Sequence, residues 1–121
     1  MIELPEALTL ARQMNAALIG KRIESAVRGN SPHRFAFYTR SAEEYAAILA
    51  DKTIGEAREH GSNVFLAIEP GRTLVLGGGG ERIRLHPDET TLPKKHQLLL
   101  QFEDGSLLSV TVQGWGSVQL Y

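Results

Sequence analysis

The chain has no cysteine, which removes disulfides, thiolate zinc sites and a cysteine nucleophile and fits a reducing compartment. It has no basic excess either: its formal net charge is −1, whereas a nucleic-acid partner usually leaves a basic footprint. No apolar run approaches membrane-spanning length, and acids stand at the N-terminus where a secretory signal would carry basic residues and an apolar stretch. A cytoplasmic protein with no membrane partner is the expectation. The four histidines, His33, His60, His86 and His96, stand in separate segments without i, i+4 pairing, so neither a metal nor another cofactor is expected in this chain. No G-x-S-x-G sequence places a serine nucleophile, and there is no internal repeat, low-complexity tract or linker.

What is present suffices for one domain over residues 1–121, since 42% of the residues are hydrophobic. The opening "MIELPE" brings Glu3 and Glu6 to a helix start, with Pro5 suited to the first turn. Leu8, Ala11, Met14, Ala17 and Leu18 then recur at helical spacing up to the stop at Gly20, predicting an amphipathic helix from Pro5 to Leu18. "SAEEYAAILAD" predicts a second helix, with Ser41 as cap and Glu44 in capping-box register. Nearly everything else reads as strand: "RIESAVRG", "RFAFYT", "TIGEAREHG", "NVFLAIEPG", "RTLVLGG", "RIRLHP" and the hairpin "HQLLLQFEDGSLLSVTVQ", which turns at Asp104 and Gly105. Many short strands with regular turns imply a mainly β fold, an antiparallel β-sandwich flanked by two helices. "HPDETTLPKK" reads as an irregular, mobile surface loop.

Acids beside a helix start offset its positive end and accept from its free N–H groups. The same placement puts Glu3 and Glu6 within a few residues of the Met1 α-amine, so a catalytic role is the sharper alternative. The tetraglycine from Gly77 to Gly80 lacks the Lys-Ser/Thr of a P-loop and no predicted helix follows it, so a flexible strand connection where another backbone or a ligand comes close is the simpler account and a phosphate cradle the other. Four basic clusters are phosphate candidates: Lys21 and Arg22; His33 and Arg34; Arg82, Arg84 and His86; Lys94, Lys95 and His96. Each taken singly reads as a solvated turn or strand edge. Trp115, between two glycines, is either a core plug or a stacking surface for a base.

Taken together, "MIELPEALTLARQMNAALIGKRIESAVRGN", "NVFLAIEPGRTLVLGGGGERIRL" and "LLLQFEDGSLLSVTVQGWGSVQLY" resemble the N-terminal domain of the formamidopyrimidine-DNA glycosylase and endonuclease VIII family. Its members excise damaged bases and cut at the abasic site. They usually begin Met-Pro-Glu-Leu-Pro-Glu, lose the methionine, attack the sugar C1′ with the proline amine and use the adjacent glutamate for proton transfer. The resemblance implies Glu3 as that glutamate, Glu6 as a second acid at the helix start and, with Ile2 where the proline should be, the primary α-amine of Met1 as the remaining nucleophile.

Other positions depart as well. The family's phosphate-contacting lysine falls near Asn63, its gap-filling methionine near Gly79, and its arginine-aromatic pair at Gly114 and Trp115, with Gln113 alongside. Together with the basic clusters, the resemblance leads to an expected DNA-contacting set of Asn63, Arg84, Lys94, Lys95, Gln113 and Trp115. Damaged duplex DNA is the expected partner, held weakly by this domain. A C-terminal DNA-binding half of the same parent, with a helix-two-turn-helix element and a finger, is expected to supply the remaining grip and is absent from this chain. The chain alone is expected to be inactive or nearly so. A non-enzymatic lesion binder or scaffold is the alternative, and an unrelated enzyme using the glycine loop is a third.

Overall fold

A computed structural model describes residues 4–29, 36–77, 79–114 and 116–121, without the side chains of residues 4, 5, 36 and 37. Its elements, in chain order, are α1 (Leu4–Ala17), β1 (Ile23–Val27), β2 (Ala36–Tyr38), α2 (Ala42–Leu49), β3 (Thr53–His60), β4 (Asn63–Glu69), β5 (Arg72–Gly77), β6 (Glu81–His86), β7 (Leu98–Phe102), β8 (Leu107–Val112) and β9 (Gly116–Leu120). The strands form a four-stranded sheet ordered β1-β7-β8-β6 and a five-stranded sheet ordered β2-β9-β5-β4-β3. Every pairing is antiparallel except β2 with β9, which is parallel.

Alternation along the strands builds the core between the sheets. Val64, Leu66 and Ile68 of β4, Leu74 and Leu76 of β5, and Val118 and Leu120 of β9 are fully buried from one sheet. Leu98, Leu100 and Phe102 of β7 and Val110 of β8 meet them from the other. The helices close the flanks. In α1 the buried stripe is Ala7, Ala11, Met14 and Leu18, and its two alanines allow a close approach to the strands. The Asn15 side chain donates to Ala57 O at 2.9 Å and accepts from Ala57 N at 2.7 Å, covering edge strand β3 where its register shifts. The predicted capping box of α2 is formed by Ser41 and Glu44, and its buried Tyr45 hydroxyl donates to Val118 O.

Helix α1 runs antiparallel to β3, because Gly20 N donates to Ile54 O at 2.8 Å while Asn15 meets Ala57 one turn earlier. Its first turn therefore lies at the end of the sandwich where β3 turns into β4 through Gly61. The same end holds the β5–β6 and β8–β9 connections, since Gly77 pairs with both Asn63 and Ser117, and Glu81 pairs with Val112.

The stretch expected to be an irregular surface loop is largely exposed and irregular apart from one short turn, and it is anchored at both ends. Asp88 caps a short 3-10 turn over Glu89–Thr91, and His86 bonds Thr91 Oγ1 at 2.8 Å and Ser109 Oγ at 2.7 Å. The far end is tied by Gln97, whose Oε1 accepts from Val112 N at 2.7 Å.

Candidate functional site

The end of the sandwich that receives the start of α1 is built by three chain crossings. At the first, β5 passes over β4 so closely that a Cβ on Gly77 would stand 2.5 Å from Ser62 O and 2.9 Å from Asn63 Cα. Its φ of +130° is also one that L side chains rarely adopt. At the second, Gln113 N donates to Gly80 O at 2.8 Å, locking the glycine run to the β8–β9 connection. At the third, the Ser117 hydroxyl donates to Gly77 O at 3.1 Å.

Glu81 lies among these crossings. Opposed residues of an antiparallel pair share a face, so Glu81, paired with Val112, stands on the same face as Ile83, paired with Val110, and Leu85, paired with Leu108. The residue is 7% exposed. Its Oε1 accepts the Gly79 N–H at 2.9 Å, whereas Oε2 has no hydrogen-bond partner of ordinary geometry among the described residues. A Cβ on Gly116 would come within 2.8 Å of the Glu81 Cδ, so the absence of a side chain there makes room for the carboxyl. Burial raises the pKa of this group, opposed by the backbone N–H groups of Glu81, Gly79 and Ser117 and by the charge of the amino terminus.

This answers the tetraglycine question from the described glycines. The Gly79 N–H is already given to a carboxylate, Gly80 O is taken by Gln113, and Gly77 is required by a backbone contact. A phosphate cradle needs free N–H groups, and the Gly79 N–H is not one of them. The described glycines Gly77, Gly79 and Gly80 serve as a crossing point.

Of the residues expected at the site, Asn63 opens β4 and pairs with Gly77, and Gln113 is exposed at the β8–β9 connection. Glu6 is exposed in the first turn of α1. These come together at one end of the sandwich. Arg84 is exposed midway along β6, opposite Ser109, and Lys94 and Lys95 are exposed on the segment that returns from His86 to Gln97. Met1, Glu3 and Trp115 lie outside the described residues, as do Ile2, His33 and Arg34 of the sequence argument.

Four members of the basic clusters are taken up by the fold itself, in keeping with the structural reading of each cluster taken singly. Lys21 pairs with Asp104 and bonds Ser106 at 3.0 Å. Arg22 reaches Glu103 at 3.2 Å and Asp51 at 3.6 Å. His86 and His96 are buried, at 1% and 7% exposure, and burial holds both imidazoles below their ordinary pKa. Neither offers a cation to solvent at neutral pH. Glu81 was missed because it opens "ERIRLH", which reads as a basic patch. The alternation Glu81, Ile83, Leu85 was the available signal: it sets a carboxyl on an apolar face.

Among the described residues, no cluster of His, Asp and Glu could hold a metal ion, and no helix is long and apolar enough to cross a membrane.

The sequence profile of the formamidopyrimidine-DNA glycosylase N-terminal domain matches residues 1–113. Among solved structures, the chain is similar to Lactococcus lactis Fpg in complex with abasic-site DNA, at 25% identity and a TM-score of 0.82 over 98% of this chain and 43% of that one. It is also similar to the same enzyme, MutM, with an oxidized pyrimidine in its DNA, at 26% identity and a TM-score of 0.81 over 98% and 44%. A third complex, with N7-benzyl-Fapy-dG DNA, gives 25% and 0.82 over 98% and 43%. The chain thus spans less than half the length of these structures. No curated protein sequence matches.

Proposed function

The chain belongs to the formamidopyrimidine-DNA glycosylase N-terminal domain family, and from that premise we propose that it is the lesion-facing domain of a DNA base-excision repair protein. The observation that carries this reading is the convergence at one end of the sandwich. The first turn of α1, Asn63, the glycine crossing and Gln113 meet there, in a fold that superposes on enzymes held with damaged DNA. The partner is damaged duplex DNA, with Asn63, Arg84, Lys94, Lys95, Gln113 and Trp115 as the contacting set. A C-terminal DNA-binding half supplies the remaining affinity, because duplex binding grows with the number of phosphates neutralised and this chain has a net charge of only −1.

Any abasic-site lyase chemistry runs through the Met1 α-amine. A primary amine with an ordinary pKa of about 7.7–8.0 is partly neutral at physiological pH and adds to the sugar aldehyde. Glu3 transfers the proton and Glu6 positions it. Ile2 in place of the family's proline and Gly114 in place of its arginine weaken both nucleophile and phosphate clamp. They favour a second reading, a lesion binder without turnover, and either way the isolated chain has little or no activity.

Borohydride trapping on duplex DNA with an abasic site, read by intact mass, tests the two. An adduct located on Met1 and lost in Glu3→Gln establishes the amine chemistry. DNA binding without an adduct establishes the lesion binder. Absence of both overturns DNA contact by this domain.

A further inference from the structure

Strand β6 ends the four-stranded sheet, and its outer edge is open. Gln113 N donates to Gly80 O, and the register of Glu81 with Val112 makes Gly80 and Gln113 a hydrogen-bonded pair of the same ladder. Such pairs alternate with unbonded ones along antiparallel strands. Arg82, Arg84 and His86 therefore direct their backbone groups to β8, while Ile83 and Leu85 turn theirs away from it. Val110 fits this phase, since it stands opposite Ile83 and gives its carbonyl to Gln97 N on the side away from β6. Among the described residues, no hydrogen bond reaches the outward backbone groups of Ile83 and Leu85.

The two faces of this edge differ. On one, Leu10, Met14 and Ala17 of α1 face Ile83, Leu85 and Leu108 across an apolar groove of about 220 Å³, and Leu85 is left 44% exposed. On the other stand Arg82 and Arg84, both exposed. Among the described residues, neither arginine side chain has an ion pair or a hydrogen bond.

We propose that the β6 edge receives an extended acidic segment of a partner protein, in which carboxylates alternate with apolar residues, as a fifth strand of this sheet. Cross-strand neighbours share a face, so the apolar side chains of the added strand enter the groove beside Ile83 and Leu85, and its carboxylates meet Arg82 and Arg84. Its backbone supplies the hydrogen-bond partners that Ile83 and Leu85 lack. The same arginines select against other strands: a second copy pairing through β6 would set arginine beside arginine, and a basic segment would meet like charge. Arg84 also belongs to the DNA-contacting set proposed above. A phosphate backbone, however, offers no donor to the open carbonyls and no apolar group to the groove, so an acidic strand accounts for more of this surface. The proposal does not depend on the DNA reading.

The test uses the folded chain, ¹⁵N-labelled, with a capped peptide of about eight residues, a typical strand length, alternating glutamate and valine. Amide exchange at Ile83 and Leu85 should slow by about tenfold or more at saturation, whereas Arg82 and Arg84, already bonded to β8, should change little. Arg82→Glu with Arg84→Glu should weaken the peptide by about tenfold and admit its lysine-for-glutamate counterpart, which the wild type rejects. Two further peptides, N-methylated at alternate residues along one edge or the other, need no protein variant: one should lose binding and the other keep it. Absence of slowing at Ile83 and Leu85 with millimolar peptide overturns the proposal. Equal affinity of the wild type for the glutamate and lysine peptides, or of both N-methylated peptides and their parent, overturns it as well. A short DNA duplex that slows these amides where the peptide does not assigns the edge to DNA and overturns it too.

Discussion

The two ends of the sandwich are built on opposite electrostatic plans. At the far end, where β7 turns into β8, a group of charges is paired: Lys21 with Asp104, Arg22 with Glu103 and Asp51, and Asp104 also accepting from Ser106 N at 2.9 Å. At the near end a carboxyl is buried with one oxygen unpartnered among the described residues, beside a backbone crossing that only glycine fits. The far end is arranged to hold the fold and the near end tolerates a cost. Structural strain and unmet polar groups persist where the surroundings over-determine them, which makes such places candidates for function.

Glycine substitution separates the ends most strongly. Gly77→Ala drives a Cβ into the Ser62 carbonyl at an unfavourable φ and should cost about 3 kcal/mol. Gly105→Ala at the far end has a φ of +90° but open space around it, and should cost about 1 kcal/mol. Urea denaturation of both variants measures the difference, and equal costs would remove the crossing as a special feature.

Next comes the link between the two ends and the basic segment. Ser109→Ala leaves His86 Nε2 buried without the hydroxyl it bonds at 2.7 Å and should cost about 1–2 kcal/mol at neutral pH. The His86 pKa is lowered by burial and then by Arg84, so stability from this group is present above the unfolded histidine pKa and is lost as pH falls through it. Thermal melts from pH 8 to pH 5 check the sign.

The acids at the two ends carry opposite pH signatures. Asp104 is held well below the usual carboxylate range by Lys21 and Ser106. Its contribution is present above the unfolded pKa and lost as pH falls through the folded one. Glu81 is raised by burial, so its contribution is greatest below the unfolded pKa and declines as pH rises through the folded one. The stability difference between wild type and Asp104→Asn should thus shrink on acidification from pH 7 to pH 3, while that between wild type and Glu81→Gln should move in favour of the wild type. Parallel trends would mean that the ends do not differ in this way.

The smallest expected effect is on binding alone. Lys94→Ala with Lys95→Ala should leave melting unchanged within about 0.5 kcal/mol. The pair should flatten the dependence of log affinity on log salt by up to about 1.8 for duplex DNA, if both lysines contact phosphate.

Much of the fold was legible in the residues because it rests on local rules. Period 3.6 placed α1 within one residue of its observed bounds, the Ser41–Glu44 box set the start of α2, and Asp104–Gly105 marked the hairpin. The parallel pairing of β2 with β9 was not legible, because it joins segments far apart in the chain and neither carries a register signal. The site was legible in the same uneven way. Asn63 and Gln113 were found through family resemblance, and the glycine run was noticed but its purpose was open. Lys21, Arg22, His86 and His96 looked like free basic groups because a sequence shows charge and not who answers it.

The sequence by itself determined the periodicities, the turns, the caps and the family. Those depend on neighbours a few residues apart or on a pattern spread over most of the chain. Tertiary structure alone decided that Gly77 must lack a side chain, that Glu81 is buried with one oxygen unpartnered among the described residues, and that His86 and His96 are buried. Each is a matter of burial and close approach between residues distant in sequence, and the energetic meaning of a charge depends on the surroundings that folding brings to it.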